Sequence, residues 1–511
     1  MATNNKVRVR FAPSPTGGLH LGGVRTVLFN YLFAKQHKGD FILRIEDTDQ
    51  SRFVPGAEQY IVDCLTWCGL IPDESPSLGG DYAPYRQSER KPLYRQYAEQ
   101  LVESGHAYYA FDTPEELDAM RAKFKSEHNA SPQYDHQVRM QMRNSLSLPS
   151  HEIKRLLDEG IPHVIRIKMP VDEVVGLKDM IRGGVNFNTS QVDDKVLLKG
   201  DGMPTYHLAV VVDDYLMKIT HAFRGEEWLP SAAVHVLLWK YLGWEDAMPQ
   251  WAHLPLILKP DGNGKLSKRD GDRLGFPVFA MDWLDPKTNE LTKGFKELGF
   301  LPSAFINLLA MLGWNDGTTR ELFTLDELIH NFSIERVHKG GAKFDFEKAK
   351  WFNHEWIKNS TAKALFPEVK KLFEQENVAI NNDAQLERVI ELTKERCTLL
   401  TDFITQGKFF FVAPEEINGE PIKAKWNSDK ANFFEEFSRL LKATDTIDAI
   451  SAETIFKNLA TEKNIKPGEL QLPLRIMLVG DKYGPPVFDI AATLGKDETC
   501  IRILSALAQL P

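Results

Sequence analysis

The order of strand and helix signals at the start of the chain decides its fold. Residues 7–46 read VRVRFAPSPTGGLHLGGVRTVLFNYLFAKQHKGDFILRIE. Apolar residues first alternate as in a strand, a turn rich in proline and glycine follows, and apolar residues after Gly23 recur at helical spacing. The apolar run at 41–46 is typical of a buried strand. This order predicts an α/β fold with a parallel sheet and a right-handed crossover.

Composition places the chain among large globular proteins. With 511 residues it exceeds the usual size of one core, and we expect three or more domains. A net charge of −9 disfavours a nucleic-acid partner only weakly, because a local basic face can still bind one. Four cysteines are too few for a disulfide framework and favour a reducing compartment. Without a visible signal peptide or an apolar run of about 18 residues, we expect a cytoplasmic protein.

Changes in pattern divide the rest of the chain. A capping box at Thr113 starts a helix, and strand-like runs follow at 164–169 and 196–199, which indicates an insertion over 106–200. Residues 206–212 are predicted to form a strand that resumes the parallel sheet, and 231–242 a helix. From about 303 onward the pattern is almost wholly helical. The predicted segments are 1–105 and 201–255 for the two halves of the α/β domain, 106–200, 256–340, and 341–511 with an internal boundary near 413–430.

The turn at 13–23, PSPTGGLHLGG, is the first candidate site. Its glycines let a phosphate approach the backbone, and the following helix N-terminus favours negative charge. His20, just before that helix, could donate to a phosphate. The turn is neither a P-loop nor a GxGxxG fingerprint, and a tight turn with a surface histidine remains the alternative.

The loop at 265–269, KLSKR, is the second candidate site and follows Gly262 and Gly264. Three cations around Ser267 on a glycine-flanked loop can close over a triphosphate and stabilise developing charge. The alternative is an ordinary solvated basic loop.

Together the two stretches resemble the two signatures of class I aminoacyl-tRNA synthetases. Surrounding motifs are similar to those of bacterial-type glutamyl-tRNA synthetases: RFAPSPTG at 10–17, LRIEDTD at 43–49, PYRQSER at 84–90, PTYHLA at 204–209 and RGEEW at 224–228. The resemblance implies a Rossmann-type catalytic domain carrying an inserted α+β acceptor-stem-binding domain at 106–200. It further implies a stem-contact domain at 256–340 and an all-α anticodon-binding region at 341–511.

The resemblance also implies an activity. Enzymes of this family convert glutamate and ATP into glutamyl-adenylate and esterify the 3′ end of tRNA(Glu), with Mg²⁺ accompanying the ATP, and they act as monomers. Glutamate is already ionised near neutral pH, so the first step needs positioning and neutralisation of phosphate charge rather than a general base.

The residue roles implied by the resemblance fall into three sets. The catalytic set is His20, Lys265, Ser267 and Lys268. The ATP set is Pro13, Ser14, Thr16, Gly17, His20, Gly22, Gly23, Glu227, Trp228 and Lys268. The glutamate set is Arg10, Ser14, Glu46, Tyr206 and Arg224, in which arginines suit the carboxylates and Glu46 suits the ammonium group. Ordinary salt bridges for the arginines, and a core tryptophan beside a surface glutamate at 227–228, are the alternatives.

Some positions depart from the family pattern. Gly23 stands where the general class I signature has a second histidine, and Val210 where some members have asparagine. Residues 282–290 look like an added surface segment. The stretch that carries zinc ligands in some members, 109–112, has no cysteine here, and Cys64 and Cys68 are predicted to be buried apolar thiols. We therefore expect no zinc.

In the helical half, Arg396 matches the position where discriminating relatives read the last anticodon base, with a solvated helix charge as the alternative. It suggests that only glutamate tRNA is charged. Three other functions share some of these features: a shorter relative that glutamylates a modified tRNA base, a nucleotidylyltransferase of the same superfamily, and a non-enzymatic tRNA-binding protein. The long helical half, the amino-acid motifs and the intact KLSKR loop disfavour them in that order.

Overall fold

The computed structural model describes residues 6–127 and 130–510, without the side chains of Lys268, Arg269 and Asp272. The chain divides into two compact units. One comprises Met1–Phe295 and Phe305–Asp345, and the other Lys296–Ala304 and Phe346–Pro511.

The first unit is built on a six-stranded sheet. The strands of the chain are β1 Arg8–Phe11, β2 Asp40–Leu43, β3 Ala107–Ala110, β4 Val164–Ile167, β5 Val174–Asp179, β6 Gly183–Asn188, β7 Val196–Leu198, β8 His221–Gly225, β9 Gln250–Leu254, β10 Ile257–Leu258, β11 Trp283–Leu284, β12 Leu291–Thr292 and β13 Ala342–Lys343. The main sheet has the order β2-β1-β8-β9-β5-β6, and every neighbouring pair is parallel except the β5–β6 hairpin. The predicted parallel sheet is confirmed.

Helices flank this sheet, and the stretch Lys296–Ala304, which holds parts of two further helices, belongs to the second unit. Up to residue 331 they are α1 Leu21–Gln36, α2 Ala57–Trp67, α3 Lys91–Glu103, α4 Pro114–Phe124, α5 Ser150–Asp158, α6 Tyr206–Leu216, α7 Ala232–Tyr241, α8 Lys268–Leu274, α9 Phe295–Leu298, α10 Pro302–Met311 and α11 Leu325–Asn331. The predicted capping box opens α4, where Thr113 and Glu116 bond each other's backbone amides.

The segment 106–200 contributes to two sheets. Strands β3, β4 and β7 form a separate antiparallel sheet, and the division of the chain at 106–200 stays a prediction. The hairpin β5–β6, however, extends the main sheet, with Asp179 opposite Trp251. Val175 and Leu177 on its buried face pack into the core of the main sheet, so this apolar face fixes where the hairpin pairs.

The prediction of a strand at 206–212 is wrong. These residues lie in α6, which runs from Tyr206 to Leu216, and positions 208–214 are all buried. Three consecutive valines at 210–212 favour a strand locally. Here the helix is covered on nearly every side, so burial overrides the β-branched preference and hides the helical period.

The second unit is helical apart from its connections. Its helices are α12 Phe346–Asn359, α13 Ala362–Gln375, α14 Asp383–Thr393, α15 Asp402–Gly407, α16 Glu420–Lys423, α17 Ser428–Lys442, α18 Ala449–Glu462, α19 Gly468–Val479, α20 Val487–Leu494 and α21 Lys496–Leu507. One apolar core centres on Val369, Phe373 and Phe403, and a second on Phe433, Phe437 and Phe456. Within the described residues, no helix combines the length and apolarity needed to cross a membrane.

Candidate active site

A cavity of about 950 Å³ opens beside the carboxyl ends of β1, β2 and β8. In sheets of this kind ligands bind at that edge, because the loops that follow parallel strands converge there. Residues from the turn at 13–23 and from the loop at 265–269 both line it. Of the predicted site residues, the cavity brings together Arg10, Pro13, Ser14, Thr16, Gly17, His20, Gly22, Gly23, Glu46, Tyr206, Arg224, Glu227, Trp228, Lys265 and Ser267.

Arg10, at the end of β1, is held by a carboxylate. Its Nε donates to Oδ1 of Asp214 at 3.0 Å, and the same oxygen accepts from Arg44 at 2.8 Å. Arg44 also donates to Oε1 of Glu46 at 3.1 Å. Burial alone would raise the pKa of Asp214, but the charges of Arg10 and Arg44 hold it below its usual value. Burial outweighs these arginines at Glu46 and raises its pKa.

Arg224, at the end of β8, is held by neutral groups. Its Nη1 donates to the hydroxyl of Tyr206 and to Nδ1 of His235, each at 3.0 Å, and its Nε donates to Nε2 of His253 at 2.9 Å. The guanidinium carbon lies 4.4 Å from the ring centroid of Trp251. Nη2 is buried and has no hydrogen-bond partner among the described residues. Burial lowers the pKa of Arg224.

His20 caps the N-terminus of α1. Its Nδ1 accepts from the amide of Gly22 at 3.2 Å, so the neutral ring carries its proton on Nε2. Burial and the charge of Lys265 lower the pKa of His20 to about 4. Within the described part of the chain, Nε2 is buried without a partner. The ring therefore offers one free donor in the wall of the cavity.

The first turn of α1 has few free amides. The amide of Leu21 donates to the carbonyl of Val278 at 2.9 Å, and that of Gly23 to the carbonyl of His20 at 2.8 Å. The helix thus acts on an anion through its dipole and through His20 more than through its first N–H groups.

The second candidate loop leaves β10 and returns beside it. Gly262 and Gly264 adopt positive φ angles of 81° and 90°, and Leu266 is buried. Nζ of Lys265 lies 2.5 Å from Oε1 of Glu227. The amide and the hydroxyl of Ser267 donate to Oδ2 of Asp270 at 3.0 Å and 2.5 Å, so the carboxylate of Asp270 caps the start of α8 in this conformation. The side chain of Lys268 lies outside the described part, and its catalytic role remains a prediction.

Comparison with known proteins identifies this arrangement. Residues 6–351 match the family described as tRNA synthetases class I (E and Q), catalytic domain. The chain belongs to the class I tRNA synthetase family. Residues 355–507 match an anticodon binding domain, so the expected fold class is confirmed in both parts.

Several relatives resemble this synthetase over its full length. A glutamate–tRNA ligase of Cytophaga hutchinsonii is 51% identical over 509 residues, which cover 99% of this chain and 98% of the relative. One of Porphyromonas gingivalis is 50% identical and covers 99% of each chain. The crystal structure of a glutamate tRNA ligase from Elizabethkingia meningosepticum in complex with its amino acid has a TM-score of 0.93 at 50% identity, covering 99% of this chain and 100% of that one.

The sequence did not reveal the partners of the two arginines in this synthetase. The incorrect prediction of a strand at 206–212 gave no reason to place Asp214 beside Arg10. In a helix, Tyr206, Val210 and Asp214 follow the i, i+4, i+8 spacing of one face, which is the signal that could have found it. His235 and His253 carry no local signal, since their role depends on which elements pack beside β8.

Trp228 lies at the cavity and is 44% exposed, which contradicts the alternative of a core tryptophan. Its ring centroid is 4.7 Å from that of Tyr206. The expectation of a surface segment at 282–290 is only partly right. Trp283 is buried against Tyr60, with ring centroids 5.0 Å apart, and Asp285 lines the cavity.

Cys64 and Cys68 are buried, as expected for apolar thiols. Within the ranges described above, no group of three or more His, Cys, Asp or Glu side chains could hold a metal ion. The absence of zinc stays a prediction.

Arg396 belongs to the second unit. It ends the short 3-10 helix Lys394–Arg396 and is exposed. Burial and the charge of Arg396 lower the pKa of Arg475. An exposed cation is available to a nucleic acid, and the reading of an anticodon base stays a prediction.

Proposed function

We propose that this synthetase is a glutamate–tRNA ligase, which forms glutamyl-adenylate from glutamate and ATP and transfers glutamate to the 3′ end of tRNA(Glu). The observation that carries the proposal is the buried, unpartnered Nη2 of Arg224, in the same cavity as the unpartnered Nε2 of His20. One suits a carboxylate and the other a phosphate. The full-length similarity to glutamate–tRNA ligases supports the same conclusion.

Charge balance favours glutamate over glutamine. Three buried guanidinium groups lie here, those of Arg10, Arg44 and Arg224. They face two carboxylates, those of Asp214 and Glu46, which leaves one positive charge unbalanced. Glutamate brings a net charge of −1 and balances this group, whereas glutamine brings none. A buried cation left without a partner is costly, so rejection of glutamine needs no separate editing site. In this arrangement Arg10 and Arg224 face the carboxylates, with Ser14 and Tyr206, and Glu46 the ammonium group.

Activation proceeds by in-line displacement at the α-phosphate. An oxygen of the glutamate α-carboxylate bonds to the α-phosphorus as the bond from that phosphorus to the oxygen of pyrophosphate breaks. Lys265 and Lys268 neutralise charge on the phosphates and the neutral His20 donates a hydrogen bond to them, while Glu227, Trp228 and the turn at 13–23 hold the nucleoside side. Among the described residues no group of three or more His, Cys, Asp or Glu could hold a metal ion, so Mg²⁺ would be held by phosphate oxygens and water and would supply further neutralisation of charge.

Transfer then uses a tRNA that contacts both units. The terminal ribose hydroxyl attacks the carbonyl carbon of the adenylate, an ester forms and AMP leaves. We assign the acceptor stem to residues 106–200 and 256–340, and the anticodon loop to 341–511, where Arg396 restricts charging to tRNA(Glu). The enzyme acts as a cytoplasmic monomer. The match of 355–507 to an anticodon binding domain favours this function over the shorter relative and the nucleotidylyltransferase.

The test is side-by-side charging of purified tRNA(Glu) and tRNA(Gln) with labelled glutamate, and pyrophosphate exchange with tRNA, glutamate and Mg²⁺ present. We expect glutamate on tRNA(Glu), little on tRNA(Gln), and no transfer of labelled glutamine. Absence of both charging and exchange contradicts the enzyme assignment. Equal charging of both tRNAs removes only the discrimination assigned to Arg396.

A further inference from the structure

A chain of hydrogen bonds runs from Arg224 through His253 to Asp179. Arg224 and His253 are register partners on the adjacent parallel strands β8 and β9. Because an arginine only donates, Nε2 of His253 accepts, and the ring proton sits on Nδ1. Nδ1 lies 2.6 Å from Oδ2 of Asp179, at the end of β5, so it donates to that carboxylate. The tautomer of His253 is fixed from both sides.

His235 repeats this arrangement from helix α7. Its Nδ1 accepts from Nη1 of Arg224, so its proton sits on Nε2. Nε2 lies 3.2 Å from Nδ1 of His207, the next donor–acceptor pair in the chain. Both His235 and His253 are almost completely buried. Burial lowers the pKa of each, and the charge of Arg224 lowers them further. The hydrogen bond to Asp179 offsets this only in part at His253, so both rings are neutral near pH 7.

These contacts hold two of the three guanidinium nitrogens of Arg224. Nε and Nη1 of Arg224 are fixed by three acceptors, while Nη2 remains without a partner among the described residues. A carboxylate at position 235 or 253 would orient the group equally well but would cancel its charge. Asp179 lies behind His253, so it fixes the ring without touching the cation.

We propose that His235 and His253, with Asp179 behind them, are positioning residues that aim Arg224 at the substrate carboxylate and keep its charge uncompensated, and that they thereby set the preference for glutamate over glutamine. This inference rests on the glutamate role of Arg224 given under the proposed function. It explains why neutral imidazoles hold Arg224, although carboxylates would bind an arginine more strongly.

The first test removes the ring nitrogens that accept from Arg224, either with an amide oxygen in their place or with no acceptor at all. In His253→Gln and His235→Asn the amide oxygen can take the place of the ring nitrogen, and His253→Phe and His235→Phe remove the acceptor but keep a ring. We expect the Phe variants to raise the KM for glutamate on the order of tenfold or more, with the KM for ATP within about twofold, and the amide variants to stay within about threefold of the parent. Equal values for the Phe and amide variants overturn the inference.

The second test changes charge at constant size. His235→Asp places a carboxylate against Arg224, and His235→Asn is its matched control. We expect His235→Asp to raise the KM for glutamate and to reduce the ratio of glutamate to glutamine activation about tenfold more than His235→Asn does. A merely structural histidine predicts the same ratio in both, and that result overturns the inference even if the Phe variants fail to fold.

Arg224→Ala separates this inference from the function on which it rests. An unchanged glutamate dependence in Arg224→Ala removes the assigned role of Arg224 itself. A steep rise in Arg224→Ala together with unchanged His235→Asp and His253→Phe removes only the positioning role.

Discussion

Arg10 and Arg224 lie at the carboxyl ends of neighbouring strands and line one cavity. Arg10 has a carboxylate as its partner, whereas the hydrogen-bond partners of Arg224 are neutral. Arg10 is 4% exposed and bonded to the carboxylate of Asp214, whereas Arg224 is 7% exposed and bonded to a phenol and two imidazoles. A buried cation with a counterion is part of the fold. One without a counterion weakens the folded state and gains a partner only when an anion binds. The comparison separates an arginine whose charge is balanced within the fold from one whose ion-pair partner would be the substrate.

The largest expected effect is that of Arg224→Ala. Loss of the unbalanced cation should lower kcat/KM for glutamate about 10³-fold and leave the KM for ATP nearly unchanged, as measured by pyrophosphate exchange with tRNA present. The melting temperature should hold or rise, because the variant no longer buries an uncompensated charge. Arg10→Ala is the matched control and should lower the melting temperature, since Asp214 then keeps only Arg44. An unchanged glutamate dependence in Arg224→Ala breaks the comparison.

Lys268→Ala tests a third cation, which lies on the loop at 265–269 rather than at the end of a strand. By the family resemblance this lysine meets the phosphates, so adenylate formation should slow about 10²–10³-fold while the Kd for tRNA(Glu) changes less than about twofold. Rapid-quench kinetics and filter binding measure the two quantities. Lys240→Ala, an exposed lysine on α7, serves as control. Equal losses in catalysis and in tRNA binding would count against the assigned role.

Asp214→Asn tests the structural side of the comparison. Removing the counterion of Arg10 and Arg44 should lower the unfolding free energy of the catalytic unit by about 3 kcal/mol at neutral pH. Despite burial, the two arginines keep the pKa of Asp214 depressed, so its contribution is present above the unfolded pKa of about 3.9 and is lost as the pH falls through the native value. The difference between parent and variant should therefore shrink below about pH 4. Denaturation curves across this pH range measure the difference in unfolding free energy between the two proteins. A difference that widens in acid would falsify the link between the pKa of Asp214 and stability.

The control for Asp214→Asn is Asp118→Asn, which breaks an ion pair of two exposed side chains. Such a pair contributes less than about 1 kcal/mol, so this variant should unfold like the parent.

The smallest expected effect concerns an arginine in the other unit. Arg396 is exposed, so Arg396→Gln should leave stability and glutamate activation unchanged. If it reads the last anticodon base, the charging ratio of tRNA(Gln) to tRNA(Glu) should rise on the order of fivefold, roughly 1 kcal/mol. Arg439→Gln, another exposed arginine of the same unit, should not change this ratio. An unchanged ratio in Arg396→Gln removes the discrimination hypothesis.

The sequence predicts those parts of the molecule that depend on neighbours along the chain. Strands β1 and β2, helix α1 and the capping box of α4 follow from local period and turn chemistry, and the structure confirms them. Helix α6 fails because a helix buried on all sides has no polar face to mark its period.

The candidate site divides in the same way. His20 and Arg224 lie in motifs, so the sequence indicates them directly. The partner His253 is set by strand register and Asp179 by where the β5 hairpin joins the sheet, and neither is encoded within a short stretch. The neutral surroundings of Arg224 therefore arise only in the folded structure.

Lys265 and Glu227 form an ion pair at the wall of the cavity. This lysine has an anionic partner from the loop after β8, and both side chains are partly open to solvent. An arriving phosphate therefore exchanges one anion for another, and a half-exposed pair of this kind costs less than about 1 kcal/mol to separate. If Lys265 binds the ATP phosphates, as proposed, leaving Glu227 would therefore cost the lysine little.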